Sequence, residues 1–134
     1  MRQVTMDLDQ LFEWTRRSIA EECKERSVLF ELAKDEVYEV RLAVAENLNE
    51  SDTEIIAILE NDECEDVRHY ARLLKADLTL EELEKISRNG CDLIRLRVAA
   101  SPKASITFLV DMLAREKDSD VKEAIMDALK AKDK

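Results

Sequence analysis

The sequence predicts an all-α fold, a short solenoid in which about four helix-pair repeats of 27 residues follow an N-terminal capping helix. Apolar and cationic residues recur every 27 positions from about residue 26 onward, and a period of this order is typical of stacked supersecondary units. One Gly and one Pro leave little from which to build β-hairpins, whereas 46% of the residues are hydrophobic. The columns in register are Val40/Val67/Ile94/Val121, Arg41/Arg68/Arg95/Lys122, Leu32/Leu59/Ile86/Leu113 and Val44/Ala71/Val98/Ile125.

Residues 1–25 interrupt the period and are predicted to form an N-terminal capping segment, helical over about residues 7–24. Trp14 stands where the column of cations would place an Arg, and Arg17 stands in the column of Val44. Terminal units of repeat proteins are atypical because one of their sides faces water. We therefore expect residues 1–25 to cap four repeats that occupy residues 26–134, the whole forming a single domain.

Each repeat is predicted to contain a short first helix, a polar turn and a second helix. In the second helix the columns of Val40 and Val44 lie one turn apart and point into the stack. In the first helix the columns of Leu29 and Leu32 do the same. The first helices are expected at 26–33, 53–60, 80–87 and 107–114, and the second helices at 38–48, 65–76, 92–101 and 119–131. The column of Leu29 continues with Ile56, Leu83 and Val110.

Two of the first helices begin with the sequence pattern of a capping box. Ser51 precedes Glu54 by three residues, and Thr79 precedes Glu82 in the same way. In such a box the hydroxyl accepts from the backbone N–H of the third helical residue, whose carboxylate accepts from the N–H of the cap residue. We expect both helices to start in this way.

The chain is acidic, with a formal net charge of −10. Nucleic acid is not expected as a partner, because binding to a phosphate backbone needs a basic surface. Residues 50–66 contain eight acids and no Lys or Arg. We interpret this stretch as a solvated face, and the alternative is an acidic patch for a basic partner.

A cytoplasmic location is expected, without membrane association. No stretch approaches the roughly 20 apolar residues of a membrane span, and acids stand near the N-terminus where a signal peptide would be apolar. Three cysteines, an odd number, fit reduced thiols better than a disulfide framework. Cys64 and Cys91 hold equivalent positions in adjacent repeats. Stacked helices lie roughly 8–10 Å apart, and a disulfide needs Cα atoms within about 7 Å.

Short strings recur inside the repeats: a Leu-Ala-x-Asp run, then Val-Arg or Ile-Arg, then a run of small apolar residues. They read Leu32-Ala33-Lys34-Asp35, Val40-Arg41 and Ala43-Val44-Ala45 in the first repeat, and Ile94-Arg95 and Val98-Ala99-Ala100 in the third. These strings resemble the HEAT-like family of α-solenoids, most of all its leucine-rich repeat variant. The resemblance implies a right-handed superhelix whose second helices line a concave binding surface. Some members of the variant carry a Cys-rich N-terminal module with an iron–sulfur cluster, which is not expected in this chain because residues 1–31 contain only Cys23.

The cation column Arg41/Arg68/Arg95/Lys122 is interpreted as structural, because it recurs in every repeat. We expect these cations to pair with acids of the preceding turn, such as Asp35 and Asp62, or of neighbouring repeats, and to cap loop carbonyls. No metal and no cofactor are expected, since His69 is the only histidine and lies five residues from Cys64. No nucleophile–base pair stands out, so no catalytic residue is assigned and the chain is not expected to be an enzyme.

The candidate binding residues are Leu42, His69, Arg72, Leu96 and Arg97, all on second helices and outside the core columns. Together they predict a shallow apolar groove with a basic centre, suited to an amphipathic helix or an extended peptide. The alternative is that these side chains are half-buried between neighbouring repeats. Arg97 stands in the column of Ala43, Tyr70 and Ala124, where a cation breaks the repeat rule. The columns predicted to face outward are Leu42/His69/Leu96/Glu123, Ala45/Arg72/Ala99/Met126 and Glu46/Leu73/Ala100/Asp127.

The function favoured by the sequence is a non-catalytic protein-interaction module, a scaffold or adaptor whose partner is a protein or peptide. Two alternatives stay open. One is a self-associating structural repeat protein that forms a homodimer through exposed solenoid ends. The other is an accessory factor of an enzyme or cofactor-protein pathway.

Overall fold

The computed structural model of the chain describes Leu8 and residues 11–132, and over these residues all regular structure is helical. The predicted all-α class is confirmed. No helix among them is both long and apolar enough to cross a membrane. The nine α-helices of this part of the chain are α1 (Glu13–Glu22), α2 (Arg26–Leu32), α3 (Tyr38–Asn47), α4 (Thr53–Leu59), α5 (Glu65–Leu73), α6 (Leu80–Asn89), α7 (Asp92–Ala99), α8 (Ile106–Arg115) and α9 (Ser119–Lys132).

The N-terminal helix is shorter than predicted. A helix over residues 7–24 was expected, of which residues 7, 9 and 10 lie outside the described part, and α1 begins only at Glu13. Phe12 has an extended backbone, with φ −63° and ψ 151°. The carbonyl of Leu11, which a longer helix would pair with a backbone N–H, instead accepts from Nη1 of Arg16 at 2.6 Å. The Arg16 guanidinium thus binds the carbonyl that a backbone N–H would bind if the helix began earlier.

Helices α2 to α9 begin and end within three residues of their predicted limits. Their packing forms two series. Each second helix contacts the next, so that α1 contacts α3, α3 contacts α5, α5 contacts α7 and α7 contacts α9. Each first helix packs against the second helix of its own repeat. Helix α1 therefore belongs to the series of second helices, and the right-handed superhelix stays a prediction.

The two predicted columns of the second helices form the centre of the core. Val40, Val67, Ile94 and Val121 are fully buried, and so are the four residues of the column that begins with Val44. Complete burial of such an aliphatic side chain stabilises the fold by about 1.5–3 kcal/mol. These columns therefore hold the second helices in register along the chain.

The first-helix column that begins with Leu29 was predicted wrongly in the last repeat. Val110 is 53% exposed, and Leu109 and Met112 are buried in its place. The cause is the start of α8. Ser105 is its N-cap and accepts from the backbone N–H of Phe108 at 3.1 Å, one residue earlier than the 27-residue period places a cap after Thr79. The buried stripe of the helix moves back by the same one residue.

The capping box of α6 forms as predicted. The backbone N–H of Glu82 donates to Oγ1 of Thr79 at 3.1 Å, and the backbone N–H of Thr79 donates to Oε1 of Glu82 at 3.1 Å. Both donors would otherwise lack a partner at the start of the helix. This cap therefore fixes where the third repeat begins.

The capping box predicted at Ser51 and Glu54 is wrong. Asp52 is the N-cap of α4, and no side chain caps that helix. The Asp52 carboxylate instead accepts from the backbone N–H of Asn49 at 2.9 Å, and it pairs with Arg26 at 2.7 Å. The acid that could have capped α4 therefore ties the preceding turn to α2.

Candidate functional site

The cation column runs beside the turns that join first to second helices. We call these turns, residues 33–37, 60–64, 90–91 and 116–118, the turn edge. Arg41 shows the arrangement. Its Nε donates to Asp62 Oδ2 at 2.7 Å and its Nη2 to Asp62 Oδ1 at 3.0 Å, while Nη1 donates to the carbonyl of Asp35 at 2.6 Å. Both charged side chains are less than 10% exposed, and such a bidentate pair is among the strongest of protein hydrogen bonds.

The same link recurs at Arg95 in the third repeat. Its Nε and Nη2 donate to the two carboxylate oxygens of Glu116 at 2.8 and 3.1 Å, and Nη1 donates to the carbonyl of Gly90 at 2.9 Å. For Arg41 and Arg95, the predicted pairing with a neighbouring repeat and with a loop carbonyl is observed, whereas the expected pairing with a carboxylate of the preceding turn is not. The carboxylate comes from the turn that follows, and the preceding turn supplies the carbonyl.

We call the series of these Arg–carboxylate pairs along the turn edge the ion-pair ladder, and each pair one link. The first link lies on helix α1. Arg16 donates from Nε and Nη2 to the carboxylate of Asp35 at 2.7 and 3.2 Å. Trp14, which stands in the Arg column by sequence, is 68% exposed. As expected, the segment does not obey the 27-residue period, because the cation that pairs with the following turn lies two residues after the position that the period gives.

Each acid of the ladder also closes its own turn. Asp35 accepts from the backbone N–H of Val37 at 2.9 Å, and Asp62 accepts from that of Cys64 at 2.8 Å. A carboxylate that accepts the N–H two residues on stabilises a turn. Glu116 does the same for the N–H of Asp118 at 3.1 Å. Burial acts to raise the pKa of Glu116, but its bonds from Arg95 and Asp118 outweigh burial and lower it.

The link at Arg68 is incomplete. Its Nη1 donates to the carbonyls of Asp62 and Glu63 at 2.8 and 3.1 Å. Within the described residues, no carboxylate lies within 4 Å of this guanidinium, and its Nε and Nη2 donate to no acceptor. The acid column reads Asp35, Asp62, Asn89, Glu116 at intervals of 27, so an exposed amide stands where Arg68 would meet a carboxylate. The sequence contained this signal, but the pairing of cation with acid was needed to read it.

Lys122, the last member of the cation column, is exposed near the start of α9. Among the residues described, no carboxylate lies within 4 Å of its ammonium group. The ladder of the described residues therefore consists of complete links at Arg16, Arg41 and Arg95, with an incomplete one at Arg68 between them.

All five candidate binding residues lie on second helices, and each is half-buried or exposed. Leu42 and Leu96 are half-buried and pack against the core, as the alternative interpretation expected. His69 is half-buried as well, and its Nδ1 atom is buried without a hydrogen-bond partner. Arg97 is exposed. The two apolar candidates are therefore only partly exposed, and the groove stays a prediction.

Arg72 lies on α5, but its side chain is on a different face of that helix from Tyr70. Its Nη2 pairs with Glu82 at 2.6 Å, and its Nη1 lies 3.3 Å from Glu60 and 3.7 Å from Asp77. These acids lie at the start of α6, the end of α4 and the loop before α6. Arg72 is two residues beyond Tyr70, about 200° around the helix. The structure therefore uses Arg72 to join three elements and does not bring it to the same face as Arg97.

The column that contains Arg72 was expected to face outward, and this is wrong for its Ala members. Ala45 is fully buried and Ala99 is 2% exposed. Small side chains at these positions let neighbouring helices approach closely. Only Met126, in α9, is exposed, at 42%.

Arg97 of α7 contacts the neighbouring second helix α5, and its charge also acts on Glu46 of α3. Its guanidinium carbon lies 5.4 Å from the ring centroid of Tyr70, within the range of a cation–π interaction. Tyr70 is only 4% exposed. Glu46 of α3 completes the group: burial raises the pKa of its carboxyl, and the charge of Arg97 opposes this shift. A cation thus stands on an aromatic ring beside a half-buried acid.

A second cationic group lies at the turn edge of the last two repeats. A cavity of about 320 Å³ opens there. Arg115 lies 3.3 Å from Asp111 and 3.5 Å from Glu84 through Nη2, while its Nε is buried without a partner. Arg88 also pairs with Glu84, at 2.6 Å, so acids accompany the cations. In a chain of net charge −10, the four cations that line this cavity were not predicted. The lining residues are Ser87, Arg88, Arg95, Arg115, Glu116 and Lys117.

The cysteines carry free thiols and are all half-buried. Cys64 and Cys91 are the N-cap residues of α5 and α7. Burial raises the pKa of Cys91, and the nearby carboxylate of Asp66 acts in the same direction. Among the residues described, no three His, Cys, Asp or Glu side chains are grouped so that they could hold a metal ion.

The chain matches no protein-family model, no curated protein and no solved structure in comparisons with each. The resemblance of its repeats to the HEAT-like family therefore stays a prediction that rests on the recurring strings.

Proposed function

We propose that this chain is a non-catalytic interaction module of HEAT-like type, a scaffold or adaptor that binds a protein or peptide on the concave face of its second helices. The observation that carries the proposal is the contact of exposed Arg97 with the ring of Tyr70. A cytoplasmic location belongs to the proposal, because half-buried thiols stay reduced there.

Arg97 supports a binding role because the repeat does not require it. Equivalent positions hold Ala43 and Ala124, so a small residue satisfies the packing of this column. Within the described residues, no carboxylate lies within 4 Å of the Arg97 guanidinium. An Arg held against an aromatic ring keeps its N–H donors available for a planar acceptor such as a carboxylate. This arrangement suits an acidic group on a partner.

Half-buried leucines on the second helices support a partner that also has an apolar face. Leu42, Leu73 and Leu96 are half-buried on the second helices and pack against the core. An amphipathic helix or extended peptide combines apolar anchors with a few polar contacts in this way. His69, the only histidine, is half-buried with Nδ1 shielded, which does not favour a role as a general base.

The test is capture of proteins from a lysate of the native source with immobilised wild type, Arg97→Glu and Lys85→Glu. Lys85 is exposed on α6, where its nearest acid is 3.9 Å away, so the control makes the same charge change on a first helix. Arg97→Ala adds a variant that restores the residue of two other repeats. We expect wild type, Lys85→Glu and Arg97→Ala to melt alike, because such surface changes alter stability by about ±0.5 kcal/mol. Arg97→Glu should melt somewhat lower while staying folded in the assay, because it removes the cation that offsets the burial of Glu46.

The proteins that wild type and Lys85→Glu retain should be lost with Arg97→Glu and reduced with Arg97→Ala. If Arg97→Glu retains the same proteins in the same amounts, the second-helix face is not the binding surface. A lower melting temperature of Arg97→Ala would instead show that Arg97 serves the fold.

A further inference from the structure

We propose that Arg68 is a carboxylate-binding site on the turn edge, and that its ligand is an Asp or Glu side chain in an acidic segment of a partner protein. The site is separate from the Arg97 surface. Arg68 and Tyr70 lie on the same helix two residues apart, about 200° around its axis. Either proposal can therefore fail without the other.

The ladder itself shows what Arg68 is built to hold. In the links at Arg16, Arg41 and Arg95, Nε and Nη2 donate to the two oxygens of one carboxylate at 2.7–3.2 Å. Arg68 follows the same column and also donates from Nη1 to the carbonyl of its own turn at 2.8 Å. Its planar fork is therefore held in place by the same backbone contact as in the complete links.

What differs at Arg68 is the acceptor. The acid column has Asn89 at this link, and the Asn89 side chain accepts no hydrogen bond from Arg68 within 3.5 Å among the described residues. Nε and Nη2 of Arg68 therefore have no acceptor in the described part of the chain, and these are the atoms that donate to a carboxylate in the complete links. Arg68 is half-buried, so a partner side chain can reach it, and partial burial strengthens a charge-assisted bond.

The charges around the site favour one direction for an acidic segment. Toward the third and fourth turns lie Arg88, Lys117 and Arg115, whose Nε is buried without a partner. Toward the second turn lie acids, among them Glu63, whose side chain is 91% exposed. Arg88 and Arg115 already pair with Glu84 and Asp111 at 2.6 and 3.3 Å, whereas no carboxylate among the described residues lies within 4 Å of Lys117. A segment that places one acid on Arg68 and a further acid toward α9 therefore approaches Lys117. The opposite direction meets like charge.

The same acids favour a carboxylate over a phosphate. A phosphate monoester carries about −1.5 to −2 charges at neutral pH, and Glu63, Glu65 and Asp66 all belong to the turn or helix that holds Arg68. Repulsion from these acids rises with the charge of the ligand. A singly charged carboxylate, for which the three complete links are built, meets less of it.

The experiment follows the Arg Nε–Hε signals of 15N-labelled protein by NMR during titration with sodium acetate, at ionic strength held constant with chloride. The Arg68 signal is assigned from its loss in Arg68→Gln. It should move saturably, whereas those of Arg41 and Arg95 should stay in place because their own carboxylates already occupy them. Equal movement of all three signals, or none for Arg68, would refute the site.

Asn89→Asp is the matched variant, and it gives a result even if Arg68→Gln does not fold. It supplies the missing carboxylate from the chain itself. The Arg68 signal should then lie near that of Arg41 before any acetate is added, and it should no longer respond to acetate. A response that persists in Asn89→Asp would mean that acetate binds elsewhere.

Two further ligands test whether the site prefers the carboxylates of an acidic peptide or a phosphate. A capped tetrapeptide of Asp and Glu should bind about tenfold more tightly than acetate, because a neighbouring acid can add a linked contact to Lys117. Tripolyphosphate should bind no more tightly than the peptide at equal ionic strength. If the peptide gains nothing over acetate, or if tripolyphosphate displaces it, the acidic-segment assignment is wrong.

Discussion

The guanidinium of Arg41 holds the carboxylate of Asp62 from the next repeat at 2.7 and 3.0 Å. The same carboxylate closes its own turn by accepting the backbone N–H of Cys64. One acid therefore fixes both the shape of a turn and its position relative to the preceding repeat. Since both side chains are less than 10% exposed, water cannot replace either partner fully when the other is removed.

Asp62→Ala should therefore lower the free energy of unfolding by about 3 kcal/mol, because it leaves the charge of Arg41 buried without its partner. Urea denaturation followed by circular dichroism measures the change. The matched control is Glu63→Ala, next in sequence and 91% exposed, which should change stability by about 0.5 kcal/mol or less. Equal losses in the two variants would show that the Arg41–Asp62 link does not hold the repeats together.

The limits of helices α2 to α9 were predictable because the core columns of the second helices in the four repeats obey the 27-residue period without exception. Val67 and its equivalents are all fully buried, so sequence spacing and packing carry the same information. The first helix of the last repeat escaped prediction because its phase depends on one hydrogen bond, from Phe108 to Ser105. A hydroxyl stands at many positions in this chain, and the sequence does not show which of them caps a helix.

The candidate site was predictable only where a residue broke its column. Arg97 stood out because Ala43 and Ala124 occupy the equivalent positions. Arg72 was misplaced because its acids, Glu60 and Glu82, come from loops and helix ends whose approach depends on the tertiary fold. The incomplete link at Arg68 was visible in the sequence as Asn89 within an acid column, but only the observed pairing gives that column its meaning.

The acid stability of the fold should depend on Glu116. Its pKa is lowered in the folded chain, where bonds from Arg95 and Asp118 outweigh burial. The unfolded chain then binds the proton more tightly, so the stabilisation is present above the unfolded pKa of about 4.3 and is lost as pH falls through the folded pKa. Glu116→Gln should be less stable than wild type at pH 7, and the difference should shrink as pH falls below about 4. Denaturation curves from pH 3 to pH 7 measure this, and a constant difference would contradict it.

Glu46 should behave in the opposite sense. Burial raises the pKa of its carboxyl in the folded chain, against the effect of Arg97. The folded chain then binds the proton more tightly, so ionisation of Glu46 costs stability once pH rises above the unfolded pKa of about 4.3. Glu46→Gln should therefore be at least as stable as wild type at pH 7. A clear loss of stability in this variant would show that the attraction between Glu46 and Arg97 outweighs burial.

Two valines test which columns face the core. Val67 is fully buried and Val110 is 53% exposed, although the period placed both in inward columns. Val67→Asp puts an unpaired charge into the core at a cost of several kcal/mol, against a total stability of about 5–15 kcal/mol. The variant should lose most of its helicity by circular dichroism at room temperature. Val110→Asp makes the same change on the surface of α8 and should melt close to wild type. If Val110→Asp also unfolds the chain, the phase of α8 is the one that the period predicts and Leu109 does not take its place in the core.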